Sequence, residues 1–251
     1  MSNSHMHRTF ISYRNFSLVE LLVAISIIAI LASLLLPTLN KARAKGHAIN
    51  CISNLKQCGG AFASYAVDSD DRLPPHFGSS SGQPLWTDVL LGRISGSGPV
   101  ENRYLTREML RCPSQEGKLS SGWWVWTPHY GTNYGVFAVG SGVAGDMEHG
   151  SRKLNTQRFP SRKIAVADSW KVTNGHPDET SGFWRIAPSL GVYNDQFGSP
   201  AARHSSIANV LWLDWHVSPV KVRVPQMPHE TSPEFNINTE IGKMTLGWGI
   251  F

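Results

Sequence analysis

The chain lacks a second long apolar run. Of its 251 residues, only 16–37, FSLVELLVAISIIAILASLLLP, make one. Mean hydropathy over the whole is slightly negative, so the roughly 200 residues beyond that run are not membrane-like and suffice for one sizeable core or two small ones. Nucleotide chemistry has no support, because no Rossmann glycine pattern, P-loop or internal repeat is present. No GxSxG elbow frames a serine nucleophile. No CxxC exists, so zinc is not expected and no metal-ligating residues are singled out. Basic residues outnumber acidic ones, 23 to 18, without a run of five. That balance allows weak attraction to anionic surfaces and argues for no specific nucleic-acid site.

Cysteine is scarce as well. Three residues, Cys51, Cys58 and Cys112, allow at most one internal bridge and leave one thiol over. Cys51 and Cys58 lie two turns apart on one expected helix, about 10 Å along its axis. Disulfide Cα atoms must approach within about 7 Å. A bridge therefore joins Cys112 to Cys51 or to Cys58, with Cys51 the favoured partner.

What is present begins with that apolar run. It carries one charge, Glu20, and none from Leu21 to Leu36. As a helix it spans roughly 33 Å, against a bilayer core of about 30 Å. Its apolar residues lie all round the helix, which suits lipid or complete burial. Arg8 and Arg14 precede it with no acid, favouring a cytoplasmic N-terminus. Lys41, Arg43 and Lys45 follow it and nearly cancel that bias. Glu20 either snorkels to the headgroups or marks a site, since a carboxylate in an apolar run costs a few kcal/mol. Ala42-Arg43-Ala44 fits a small-x-small secretory cleavage pattern, and a plain uncleaved anchor is a further alternative. Past Pro37, Ala48, Ile52, Leu55, Phe62 and Ala66 share one face. The anchor therefore continues as one helix to about Tyr65. Pro37 should kink it or loosen a turn, and Gly59-Gly60 should weaken its end.

An aromatic, a Ser, two aliphatics, Glu and an unbroken Leu/Ile/Ala run ending in Pro resembles the N-terminus of type IV pilins and type II secretion pseudopilins. The resemblance implies cleavage by a prepilin peptidase between Asn15 and Phe16 and N-methylation of Phe16. It also implies a role for Glu20 in assembly. Asn15 stands where the family usually has Gly. Asn40-Lys41-Ala42-Arg43, Cys51, Asn54-Leu55-Lys56-Gln57, Tyr65 and Asp68 are similar to proteins with a prepilin-type N-terminal cleavage/methylation domain and a C-terminal H-X9-DG domain. His204 and Asp214 have that H-X9-D spacing, but Trp215 replaces the Gly. A type I′ turn needs positive φ at both central positions, which Trp tolerates poorly.

The remaining segments are read from local chemistry. DSDDRLPP (68–75) ends the helix; its acids could take Ca²⁺, but the EF-hand Gly and closing Glu are missing. Short helices are expected at 84–92 and 106–110, and a strand at 131–139. Trp123, Trp124, Trp126, Tyr130 and Tyr134 form an aromatic patch, a core fragment or a surface that stacks on sugars or partners. Lys163 to Asp168 is a buried strand and Thr173 to Pro200 a loop. Val210 to Leu213 and His216 to Val222 pair as a hairpin, with Pro219 confining it to an edge. For His204, Asp214 and His216, a neutral His–Asp hydrogen bond closing the hairpin is more economical than a metal site. A hydrolase using Ser205 or Ser206 is not expected, and the chain is read as no enzyme.

The expected fold is α+β: a long N-terminal transmembrane-plus-spine helix packed on a small antiparallel sheet. Its divisions are a leader (1–15), a transmembrane or filament-core half-helix (16–37), an amphipathic half (38–68) and a globular domain (69–251) with the H-X9-D hairpin at 204–222. The expected function is that of a pilin-like subunit of a pseudopilus or pilus-like fibre. Its partners would be the prepilin peptidase, other pilin subunits, the inner-membrane secretion or pilus platform and lipid. It would be single-pass in the inner membrane with its C-terminal domain in the periplasm, and without a required cofactor. The alternative is a non-polymerising, membrane-anchored module binding glycans through its tryptophans.

Overall fold

A computed structural model describes residues 17–75, 85–92, 103–115, 128–137, 152–173, 176–178, 181–183, 185–186 and 198–221. The expected leader, Phe16, and the Trp123, Trp124 and Trp126 patch lie outside them. The chain forms two compact units, Met1–Arg43 and Ala44–Phe251.

One helix, α1 (Leu18–Asp68), carries residues of both units. In the first unit its large aliphatic side chains, Leu21, Ile25, Ile28 and Leu35 among them, are exposed. An 18-residue window reaches a mean hydropathy of 2.8 with none of it buried, so this is a helix long and apolar enough to cross a membrane. Its few hydroxyls are satisfied internally: Ser26 donates to Val23 O at 2.8 Å, Ser33 to Ile30 O at 2.7 Å and Thr38 to Leu35 O at 2.8 Å. That is the condition hydrocarbon imposes on polar groups. The helix runs through Pro37 without a break. Proline's missing N–H leaves one carbonyl without its helical donor.

In the second unit the rest of α1 is core. Cys51, Leu55, Cys58, Phe62 and Ala66 are buried, at steps of three and four. The sequence face held Leu55, Phe62 and Ala66 correctly, but Ala48 and Ile52 are only half-buried. The central line belongs instead to the two cysteines, which pack as small apolar side chains. The helix ends at Asp68, the bound expected for its amphipathic half. Gly59 and Gly60 do not break it: a helical Gly costs about 1 kcal/mol, whereas burying a Leu or Phe side chain stabilises by roughly 1.5–3 kcal/mol. Gly59 also makes room, since a Cβ there would sit 3.0 Å from Leu211 Cδ1.

Against this helix lies a seven-stranded, mostly antiparallel sheet: β1 (Tyr130–Asn133), β2 (Ile164–Thr173), β3 (His176–Asp178), β4 (Arg185–Ile186), β5 (Gly198–Pro200), β6 (Ile207–Trp212) and β7 (Val217–Lys221). Ala165 and Val166 of β2 and Leu211 of β6 share the core cluster with Cys51, Leu55 and Phe62. The architecture is α+β with a long helix packed on a sheet, as expected. β2 is the hub, pairing antiparallel with β1, β3, β5 and β6. The β1–β4 and β4–β5 pairs are parallel. Because β1 also pairs with β2, the path β1-β4-β5-β2 returns on itself. Inside that ring the backbones are close: a Cβ on Gly131 would lie 2.7 Å from Phe183 O.

Several boundaries differ from the sequence reading. The strand begun at Lys163–Asp168 runs on to Thr173, because the polar Asp168 and Ser169 are buried with it. The expected strand at 131–139 becomes β1 followed by one helical turn, α3 (Tyr134–Phe137). The expected loop 173–200 holds β3, β4 and β5, each of two or three residues. The expected helix at 84–92 is α2 (Trp86–Leu90), and that at 106–110 is a 3₁₀ turn, Arg107–Leu110. β7 is at the sheet edge, where Pro219 is tolerated.

Candidate functional site

The start of α1 is the first place where sequence expectations meet geometry. Ser17 Oγ accepts the Val19 N–H at 3.3 Å, and Glu20 Oε2 accepts the Ser17 N–H at 2.9 Å. This is a capping box. The signal, Ser-x-x-Glu before an apolar run, was in the sequence. Glu20 is thus tied to its own helix start. Asn15 and Phe16 lie outside the described residues.

The second place is buried. Cys51, on α1, is bonded to Cys112, in the turn after the 3₁₀ segment, with Cα atoms 5.3 Å apart. Cys58 is the free cysteine, and burial pushes its thiol up to about 12. Beside the bridge sit Asp168 of β2 and Arg203 and His204 of the loop between β5 and β6. His204 Nε2 is 3.6 Å from Cys112 Sγ and 3.6 Å from Asp168 Oδ2. Ser114 Oγ is 3.3 Å from its Nδ1. One ligand atom each from Cys51, Cys112, Asp168 and His204 falls within 4.8 Å of all the others, and all four residues are buried.

The charges here follow from burial. Asp168 is fully buried; burial raises its pKa to about 6, with Arg203 and the Asn209 N–H pulling it back. Asp168 Oδ2 accepts that N–H at 2.7 Å. Its Oδ1 has no hydrogen bond and faces Arg203 Nη1 at 3.6 Å. Arg203 donates to His129 O at 2.6 Å and to Ser169 O. Burial lowers its pKa to about 10. Burial, then the charge of Arg203, lowers His204 to about 4. His204 is therefore neutral at pH 7, so its contact with Asp168 is polar rather than an ion pair. His129, also buried, is lowered to about 3 by burial and Arg203. Its Nδ1 accepts the Cys112 N–H at 2.9 Å.

His204 is aimed by a tight turn. Its N–H donates to Ile207 O at 3.1 Å, and Ser205 and Ser206 have φ of 57° and 65°. Positive φ at both central positions is what a type I′ hairpin turn requires. The two serines are exposed, while the His204 ring faces inward to Cys112, Ser114 and Asp168.

Asp214 is elsewhere. The His–Asp hydrogen bond at the β6–β7 hairpin joins His216 Nδ1 to Asp214 Oδ1 at 2.5 Å. His204 takes no part in it. The turn itself has Trp215 N bonded to Trp212 O and Trp212 N to His216 O, each at 2.9 Å. A three-residue loop of this kind ends on a left-handed residue, a glycine position. Trp215 occupies it with φ 70°. A left-handed non-Gly residue costs roughly 1–2 kcal/mol. Trp215 offsets this by stacking on Phe62, centroids 5.7 Å apart and planes 7° from parallel.

The acids at the end of α1 all have protein partners. Asp68 accepts from Tyr104 Oη at 2.6 Å, Asp70 pairs with Lys153 at 2.8 Å, and Asp71 accepts the Asn155 N–H at 2.9 Å. Of the aromatic patch, Tyr130 is described and is fully buried. A cleft of about 430 Å³ opens next to the bridge, lined by Asn50, Ser53, Arg111 and Pro113 among others.

No protein-family model matches the chain, and no curated protein or solved structure matches it significantly.

Proposed function

We propose that this chain is a pilin-like structural subunit, cut by a prepilin peptidase between Asn15 and Phe16, methylated on Phe16, and assembled into a type II secretion pseudopilus or a type IV pilus-like fibre. The observation that carries the reading is one uninterrupted helix with two environments. Its first half is apolar and exposed, and its second half is the core of the globular unit. Such a helix needs lipid before assembly and neighbouring helices after it. Moving between those environments is nearly neutral in apolar area, so side-chain packing and the Glu20 contact would set the register. In an apolar bundle the ammonium of a neighbouring subunit is the natural partner for that carboxylate. The Cys51–Cys112 bridge suits an oxidising compartment, with the globular unit on the periplasmic side of the inner membrane. The prepilin peptidase, sibling subunits, the inner-membrane platform and lipid are the partners, and no catalytic step is assigned.

Glu20→Gln is the test. Gln keeps an oxygen for the capping box and removes the charge. Membrane insertion should be normal, while cross-linked multimers between subunits are lost. Unchanged multimers would leave an anchored module that does not polymerise. Glycan binding abolished by Trp123→Ala or Trp124→Ala would then identify that alternative.

A further inference from the structure

We propose that the Cys51–Cys112 bridge masks a metal site. Once it is reduced, Cys51, Cys112, His204 and Asp168 hold a divalent ion of the zinc class. The first support is geometric. Ligand atoms 2.0–2.3 Å from a tetrahedral zinc stand about 3.3–3.8 Å from one another. His204 Nε2 is already 3.6 Å from both Cys112 Sγ and Asp168 Oδ2. Two edges of the tetrahedron therefore exist with the bridge intact. Opening the bridge lets the two sulfurs rotate apart to complete it.

The second support is the state of the ligands. A metal takes the imidazole by one ring nitrogen, and His204 turns Nε2 towards Cys112 Sγ and Asp168 Oδ2. Ser114 Oγ engages Nδ1 at 3.3 Å, which leaves Nε2 as the nitrogen facing the centre; fixing the far ring nitrogen is how metal-bound histidines are oriented. Asp168 is buried with Oδ2 towards His204 Nε2 and Oδ1 towards Arg203. Charge also balances. Two thiolates and one carboxylate give three negative charges, and the ion with the buried Arg203, 3.6 Å from Asp168, gives three positive. Two sulfurs, an imidazole and one carboxylate select zinc over calcium or magnesium.

The reduction is a two-electron step. A dithiol donates two electrons and two protons, the Cys51–Cys112 S–S bond breaks, two S–H groups form, and the dithiol closes to its own disulfide. Metal binding then releases both thiol protons to solvent.

The experiment uses the full chain in detergent, reduced by a phosphine under anaerobic conditions and titrated with Co²⁺ alone, then with Zn²⁺. The expected result is one equivalent of cobalt with a thiolate charge-transfer band and tetrahedral visible bands, bleached by zinc. The chain with its bridge intact should show neither. His204→Ala keeps both cysteines and should weaken binding by about tenfold or more. Cys58→Ser should bind like the parent, because Cys58 is outside the cluster. If the reduced chain loses structure, circular dichroism becomes the readout, and one equivalent of metal should restore the fold. The proposal is overturned if the reduced, folded chain gives no tetrahedral cobalt spectrum, if an unfolded one is not restored by metal, or if His204→Ala binds as tightly as the parent.

Discussion

Breaking the Cys51–Cys112 bridge has a calculable cost. The two residues are 61 apart in sequence. On the chain-entropy account, closing a loop of that length removes enough unfolded-state freedom to be worth about 4 kcal/mol at 25 °C. Both sulfurs are buried in the core with Leu55 and Phe62, so reduction in place exposes no new surface in the native state. The loss should therefore fall on the unfolded side of the equilibrium. With a slope of about 2 kcal/mol per molar urea, the midpoint should drop by about 2 M. The assay is urea unfolding of the full chain in detergent, followed by tryptophan fluorescence, with a chelator present. Reduction is carried out in denaturant and the chain is then returned to buffer. Cys58→Ser should show the same drop, because its thiol is outside the bridge. Equal midpoints for oxidised and reduced chains, or alkylation of Cys51 and Cys112 in the oxidised chain, would refute the reasoning.

Acid should destabilise the globular unit. His129 and His204 have folded pKa values of about 3 and 4, below the ordinary 6.5, so each binds its proton more readily when unfolded. Their stabilising share is present at pH 7 and is lost as pH falls through 6.5 towards those values. Asp168, raised to about 6, has the opposite sign and gains stability over part of the same window. With His204 discounted for screening, the net loss between pH 7 and pH 5 is about 2 kcal/mol, read as a fall in urea midpoint. Gly131→Ala should destabilise by more than about 2 kcal/mol, because its Cβ meets the Phe183 carbonyl at 2.7 Å. Trp215→Ala should cost about 1 kcal/mol more than Trp215→Gly, because both lose the Phe62 stack and only alanine keeps the left-handed strain.

How much of this was legible in the sequence depended on range. The membrane-capable helix and its continuation were readable over Leu18–Asp68, because apolar periodicity is a local signal. The buried line through Cys51 and Cys58 was displaced from the expected face, because cysteine gives no polarity contrast to mark it. Strands β3 to β5 were missed because segments of two or three residues are too short to show alternation. The pairing of β4 and β5 goes with close backbone approach at Gly131 and Gly198, which is tertiary. The H-X9-D spacing correctly placed a histidine before a hairpin, yet His204 and Asp214 serve different places. The ligand cluster was invisible to spacing rules, because Cys51, Cys112, Asp168 and His204 come from four separate stretches. Trp215 was correctly seen as a poor turn residue. Its ring stack on Phe62, 153 positions earlier, explains how it is kept.

The most direct measurement of the assembly account is the intact mass of the native, membrane-extracted protein. The account predicts a chain that begins at Phe16, carries one added methyl, and has one disulfide. A chain beginning at Met1 with no added methyl would contradict it.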